Sequence, residues 1–294
     1  MPWFKGNLHT HTTNSDGDSP PDEVAGWYRG HGYDFLAFTD HDRVTAVEDL
    51  NEEYGGEFLL LAGEELSAAA RWRPVHINGF GLKASVAPRF GISVTATVSK
   101  NVRAARRRGA LTQWNHPQLS GVADPEELKS GVPDLIEVFN GGHWRDPIAP
   151  KGASAEAIWE RLLGSGRRVW ATAADDAHRF KQWSDQVSNP GRGWVFVDAP
   201  ELTEQAVLGA LRHGDFYAST GITLERVERS DGLLEVDAAE DIELRFWGRA
   251  GELLEESVGR SGGFRLRADD AYVRATARDG AGTRAWTQPV FAAK

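Results

Sequence analysis

From Phe4 to about Thr220, short apolar runs alternate with amphipathic segments bounded by helix caps and glycines. Residues 4–8, 35–39, 58–62, 75–80, 110–115, 135–140, 169–173 and 194–197 form runs too short for buried helices and predict strands. Segments 98–108, 154–163 and 203–212 predict helices, each ending near a glycine. The stretch Ser19-Pro20-Pro21-Asp22-Glu23 predicts a further helix that ends near Gly30 or Gly32. Ser19 would be its cap, proline opens the first turn, and the acids oppose the helix dipole. Strands alternating with helices predict a parallel β/α architecture.

After Thr223 the period changes. Segments 224–227, 233–236, 242–247, 264–266, 272–277 and 285–291 are short alternating runs separated by Asp231-Gly232, Gly248, Gly262-Gly263 and Asp279-Gly280. This predicts a small antiparallel, sandwich-like β domain over residues 224–294, behind an α/β domain spanning 1–223. The 294 residues have room for both, since a barrel-sized domain takes ~200–250.

Histidines and carboxylates gather at the ends of the predicted strands, where a β/α barrel places its active site. His9 and His11 are two apart, so on a strand both rings point into one space. Asp16 lies in the turn-rich stretch 13–18. Asp40 and His41 close an almost wholly apolar run, where an unpaired acid would be costly. Asp40 is expected to orient a ring or relay the leaving-group proton. Of Glu64 and Glu65, one carboxylate faces the strand ends, and the period alone does not say which. His76 lies within a strand. His116 precedes Pro117, which is expected to hold it extended. Asp176 and His178 repeat the two-residue spacing after 169–173. Together these residues predict a multinuclear site for two or three divalent ions, Zn²⁺, Mn²⁺ or Fe²⁺, that activates water for hydrolysis. His178, with whichever of Glu64 and Glu65 faces the strand ends, is expected to act in catalysis as well as in metal binding. His143, Arg145 and Arg179, with Lys181, lie in loops and are candidates for holding an anionic group of the substrate. Trp72, Trp114, Trp144 and Trp183 are candidate aromatic walls.

Composition narrows the classes. With 43 acidic against 33 basic side chains the formal charge is -10, which argues against a dedicated duplex nucleic-acid binder. The run Arg103, Arg106, Arg107 and Arg108 reads as a solvated helix end. There are no cysteines, so metal ligands must be nitrogen and oxygen. No stretch reaches ~18 apolar residues and no secretory leader opens the chain. A cytoplasmic protein without membrane contact, acting on a small-molecule substrate, is the expectation.

Taken in order, His9-x-His11-Thr12 with Ser15-Asp16-Gly17, Thr39-Asp40-His41, Gly63-x-Glu65-x-Ser67, His76, His116-Pro117 and Asp176-x-His178 resemble the polymerase-and-histidinol-phosphatase (PHP) family. The opening residues 5–12, and Tyr272-Val273-Arg274 and Ala285-Trp286 in the tail, are most similar to its CehA/McbA-type metallohydrolases. The resemblance implies a distorted (β/α)7 barrel holding two or three divalent ions. His9, His11, Glu65 and Asp176 would hold one ion, Glu65, His76 and His116 a second, and Asp16, His41 and His178 a third. It selects Glu65 over Glu64 and Asp176 over Asp175. The implied activity is hydrolysis of a small phosphate ester, a nucleotide or sugar phosphate, with water as nucleophile. The alternatives are aryl ester or carbamate hydrolysis, and a non-enzymatic binding protein that its metals stabilise. Minimal members such as histidinol phosphatases lack the β tail, which disfavours their substrate.

Overall fold

The computed structural model describes residues 3–122, 125–128, 130–143, 145 and 153–292. It is a mixed α/β fold built on one fifteen-stranded sheet with few helices. In chain order the first part runs β1 (Trp3–Asn7), α1 (Pro21–Gly30), β2 (Phe35–Phe38), α2 (Glu48–Tyr54), β3 (Leu59–Ala70), β4 (Arg73–Phe80), α3 (Val94–Arg106), β5 (Leu111–Trp114), α4 (Pro117–Ser120), β6 (Leu135–Asn140), α5 (Ala155–Gly164), β7 (Trp170–Ala174), β8 (Trp194–Asp198), α6 (Glu204–His213) and β9 (Phe216–Ser219). The tail adds β10 (Leu224–Ser230), β11 (Leu233–Trp247), β12 (Leu253–Arg265), β13 (Tyr272–Arg278), β14 (Arg284–Thr287) and β15 (Val290–Phe291).

The apolar runs become strands buried on both faces, β2 and β7 completely so. Their order in the sheet is β9-β8-β1-β2-β3-β4-β5-β6-β7. Pairs β1–β2, β2–β3, β5–β6 and β6–β7 are parallel, but β4 is antiparallel to both β3 and β5, and β8 to β1. The distorted (β/α)7 barrel expected from the resemblance is not shown: parallel and antiparallel pairs are mixed within one fifteen-stranded sheet. The reason is local: β3 runs on past Ala62 to Ala70 and turns back through Arg71 and Trp72, both at positive φ, so β3 and β4 form a hairpin with no helix between them. Beyond the strand ends, Asp176 N donates to His9 O at 2.9 Å and His11 N to Ala177 O at 3.0 Å. These bonds bring the segments that follow β1 and β7 together.

Helices α3, α5 and α6 are capped by Ser93, Ser154 and Thr203, whose side chains accept from Ala96, Ala157 and Ala206 N. Ser19 does not cap α1. Pro20 holds the cap position, and the Ser19 hydroxyl bonds Asp18 instead. Helix α2 has no fully buried residue, and Leu50 and Tyr54, which pack partly buried against the core, make too short an apolar pattern to predict it. No helix among the described residues is long and apolar enough to cross a membrane.

The tail strands are antiparallel, as expected, but they continue the sheet: β9 pairs with β8 on one edge and with β14 on the other. Runs 233–236 and 242–247 fuse into the single strand β11, whose Leu234, Val236, Ile242, Leu244 and Phe246 point inward. Gly262 and Gly263, read as a separator, lie inside β12. A Cβ on Gly262 would stand 3.0 Å from a Leu244 methyl and 2.8 Å from the Ser257 hydroxyl, so a larger residue there would require those side chains to shift.

One buried ion pair ties the tail to α5. Arg274 on β13 is 3% exposed and pairs with Glu160, and with Glu156 at 3.1 Å; the Tyr272 hydroxyl also donates to Glu160 at 2.7 Å. Removing one partner of a buried pair strands the other charge, at about 3–5 kcal/mol. Arg274→Met is expected to lower unfolding stability by that amount in urea titration; a loss below 1 kcal/mol would show the pair to be replaceable.

Candidate metal centre

Strand β1 ends at Asn7, whose Oδ1 accepts from His9 N at 3.0 Å and starts the turn that presents His9 and His11. Strand β2 leads to Asp40 and His41, β3 carries Glu65, β4 His76, β5 leads to His116, β6 to His143, and β7 to Asp176 and His178. Parallel or not, these strands deliver their polar residues to one place. Glu65, 1% exposed, lies at its centre. Its Oε1 is 3.4 Å from His9 Nε2, 3.0 Å from His76 Nδ1 and 3.5 Å from His116 Nε2. Its Oε2 is 3.4 Å from His11 Nε2 and 3.0 Å from His41 Nδ1. Asp176 Oδ1 stands 3.2 Å from both His9 Nε2 and His11 Nε2. Asp16, more than half exposed, closes the outer side at 3.3 Å from His178 Nε2 and 3.7 Å from His41 Nε2.

All the predicted ligands thus come together, in overlapping groups: His11, Asp16, His41 and His178; His9, His11 and Asp176; His41, Glu65 and His76; and His116, His143 and Asp176. His143, expected on substrate, joins the last group, with Nε2 3.4 Å from Asp176 Oδ2. Glu64 points elsewhere: it accepts from Val86 N at 2.7 Å, and burial pushes its carboxyl up to about 7. Asp175 also faces away, accepting from Tyr28 and from the N–H groups of Gly191, Arg192 and Gly193.

Other expectations fare differently. Asp40 is fully buried, and its oxygens accept from Thr12 N, Thr12 Oγ1, Ser15 Oγ and Thr45 Oγ1. It is thereby committed to shaping the turn after β1. Arg145 pairs with Asp185, and Arg179 donates to Asp16 O at 3.2 Å. The backbone N of Lys181 lies 3.3 Å from Asp18 Oδ2. Arg106 pairs with Asp134. Trp72 and Trp183 are exposed, Trp114 belongs to the core, and Trp144 lies outside the described residues. His116 is not extended before its proline but adopts φ 29°, ψ 55°. Its N–H donates to Glu137 Oε2 at 2.7 Å, a tie that holds the backbone in a sparsely populated region.

Glu137 is the residue that sequence reasoning missed. It is fully buried on β6, and its Oε1 lies 2.7 Å from His9 Nδ1. A carboxylate accepts, so Nδ1 carries the hydrogen and the Nε2 lone pair is turned toward Glu65 and Asp176. His178 Nδ1 faces Asp176 O at 2.9 Å, which likewise turns its Nε2 lone pair toward Asp16. A lone pair facing a carboxylate is repulsive unless a proton or a cation lies between them. Among the described residues, buried His9 Nε2, His11 Nε2, His76 Nδ1 and His116 Nδ1 have no hydrogen-bond partner. Nitrogen and oxygen donors arranged in this way fit divalent ions. The one available signal for Glu137 was an acid inside the otherwise apolar run 135–139.

The electrostatics agree. Burial would raise the Glu65 carboxyl, but the charges of His76 and His9 outweigh it and hold the group well below the carboxylate range. Asp176 behaves alike, burial being overridden by His9 and His11. Burial pulls His41 down, yet the hydrogen bond to Glu65 and the charges of Glu65 and Asp16 lift it to about 9. His11 stacks on His178 with ring centroids 4.0 Å apart, and burial together with the His178 charge lowers it to about 4.

No protein-family model matches the chain. A phosphoribosyl 1,2-cyclic phosphate 1,2-diphosphodiesterase of Eggerthella lenta is 38% identical over 82 residues, 26% of this chain and 30% of that protein. A 5'-3' exoribonuclease of Haemophilus influenzae is 24% identical over 185 residues, 62% of this chain and 61% of that protein. The chain spans less than two thirds of either relative. A solved two-domain protein of Bacteroides vulgatus, containing a predicted PHP-like metal-dependent phosphoesterase, superimposes with a TM-score of 0.50 at 17% identity. The match covers 94% of this chain and 90% of that one, which shows a shared fold over nearly the whole length.

Two outcomes are expected. His41, raised to about 9, is protonated at pH 7 in chelator-treated protein and must lose its proton to bind a cation. Calorimetric titration with Zn²⁺ or Mn²⁺ in buffers of different ionisation heat should therefore show net proton release, and affinity should weaken as pH falls from 9 toward 6. Zero release would contradict this protonation scheme. Glu137→Gln should weaken metal affinity by about 10–100-fold, because the amide no longer enforces the His9 tautomer. An unchanged affinity would remove Glu137 from the site.

Proposed function

We propose that the protein is a metal-dependent hydrolase that cleaves a small phosphate ester. The observation that carries this reading is the Glu65 carboxylate, with His9, His76 and His116 at Oε1 and His11 and His41 at Oε2. One buried carboxylate cannot by itself satisfy five imidazoles, and divalent ions held among these rings, Glu65 and Asp176 would. His9, His11, Glu65 and Asp176 would hold one ion, Glu65, His76 and His116 another, and Asp16, His41 and His178 a third; Zn²⁺, Mn²⁺ and Fe²⁺ all suit these donors. Residues 1–223 would form the catalytic unit and 224–294 an accessory β unit.

Bound there, divalent ions would supply Lewis acidity and an activated water. The chain orients what surrounds them. Glu137 sets the His9 tautomer, Asn115 Nδ2 steadies Glu65 Oε1 at 2.8 Å, and Asp40 fixes the turn that carries Asp16. His143, about one third exposed beside Asp176, stands where it can hydrogen-bond a phosphoryl oxygen. The names of the two sequence relatives, a cyclic-phosphate diphosphodiesterase and an exoribonuclease, support phosphorus over an acyl carbon as the centre attacked.

Metal-loaded protein is expected to hydrolyse 4-nitrophenyl phosphate or its bis-ester in preference to the acetate and carbamate. His11→Ala and Asp176→Ala should lose metal and turnover together, by more than the ~10–100-fold of an outer-shell change. Preference for the acyl esters would replace this reading with an ester or carbamate hydrolase. Full metal content in both variants would sink the ligand assignment.

A further inference from the structure

Residues 66–123 carry nine lysines and arginines and no acid, in a chain whose formal charge is -10. Charge is therefore segregated, and within about 8–10 Å a facing surface meets these cations rather than the whole molecule. The same segment holds three of the six large apolar side chains that stand exposed among the described residues: Trp72 at 101%, Ile92 at 89% and Phe90 at 62%. Trp72 lies in the turn of the β3–β4 hairpin, between Arg71 and Arg73. Ile92 precedes α3, whose direction brings it toward that turn. Val98 shares a core cluster with Ala70 and Val75, and Val94 packs against it, whereas Ala104 and Ala105 join Leu66 in another. Helix α3 therefore starts beside the hairpin tip and runs away from it. Bonds hold the Phe90 loop against the helix: Asn101 exchanges two 2.8 Å hydrogen bonds with the Arg89 backbone, and Lys100 Nζ donates to Phe90 O at 2.8 Å. There Arg89, Phe90, Lys100, Arg103 and Arg107 line a cavity of about 520 Å³ with no carboxylate in its lining among the described residues.

We propose that this face docks on an anionic lipid bilayer, with Trp72, Ile92 and Phe90 entering the interface and the basic cavity taking a headgroup phosphate. Tryptophan settles at headgroup level, and lysine and arginine beside it are drawn to anionic lipid. Docking of this kind needs no membrane-spanning segment. A nucleic-acid strand would feel the same charge, but it is held by aromatic planes along a groove. Ile92 offers no such plane, and Trp72 stands clear of the molecule. Glu65 and His76 lie on the same hairpin, so docking by its tip would hold the metal-ligating strand ends near the lipid surface. The proposal is independent of the phosphoesterase reading.

The test is co-sedimentation of the metal-loaded full chain with vesicles of phosphatidylcholine containing about a quarter phosphatidylglycerol. The protein should pellet with these vesicles and stay in solution with phosphatidylcholine alone. Arg89→Gln combined with Arg107→Gln should weaken binding by more than about tenfold, at about fivefold per cation. Trp72→Ser combined with Ile92→Ser should weaken it by about tenfold or more through lost apolar insertion. All four side chains are exposed, so both variants should remain folded, with turnover of a soluble ester unchanged. No binding to the anionic vesicles, or equal binding after either pair of substitutions, overturns the proposal. Retention of an oligothymidylate in preference to the vesicles, lost with the two arginines but kept without Ile92, also overturns it and assigns the face to nucleic acid.

Discussion

Two carboxylates, Glu65 and Asp176, are buried within reach of the same histidine, and the open end of the strands is organised around that fact. Each ionised carboxylate taken out of water costs several kcal/mol unless charge and hydrogen bonds compensate. Lysine and arginine do not provide that compensation here; imidazoles do. Neutral imidazole compensates weakly by itself, so the arrangement is favourable only with protons or cations between ring and carboxylate. The raised His41 and depressed Glu65 express one condition, that positive charge must reside in this cluster.

Maintaining such a cluster requires a rigid polar layer beneath it. Asn115 bridges Glu65 and Asn78, Asn78 Nδ2 holds Leu8 O, Gln113 joins Asn115, Glu137 and Thr172, and Asn140 joins Glu137 to Asp176. Asn78, Gln113, Glu137, Asn140 and Thr172 sit inside strands, and Asn115 and Asp176 just past strand ends, so a satisfied network fixes register as well as orientation. His116 and Asp176, two of the residues the network holds, take positive φ. The backbone cost of about 1–3 kcal/mol each is sustained because surrounding bonds over-determine the position.

Much of this was legible in the sequence because its signals were local. Continuous apolar runs marked β2 and β7, and the spacings of His9 with His11 and Asp176 with His178 placed paired polar groups on one face. What was hidden depends on distant partners. Glu137 looks like an interruption in an apolar run until His9, far away in sequence, is brought against it. Asp40 looked reactive because it adjoins His41, yet its four donors belong to other turns. The β3–β4 hairpin was obscured because Glu64 and Glu65 break the apolar run midway, and Gly262 and Gly263 looked like a turn because their pairing with Val236 and Glu235 of β11 cannot be read from β12. Trp114 and Trp183 share a residue type but not an environment, one packed in the core and the other in solvent.

The tail bears on the site through β7, the last strand of the sheet order and the one that leads to Asp176 and His178. An edge strand leaves backbone groups without ladder partners. Gln288, fully buried, supplies them: its Oε1 accepts from Ala171 N and its Nε2 donates to Ala171 O, both at 2.8 Å. One side-chain amide from the tail thus stands in for a neighbouring strand. The β9–β14 ladder and the Arg274–Glu160 pair hold the same tail in place from two further directions. Loss of the tail would therefore expose the edge of β7 five residues from a buried carboxylate whose position the cluster depends on. The tail and the cluster of histidines and carboxylates are thus tied together through β7, and the position of Asp176 depends on contacts made far along the chain.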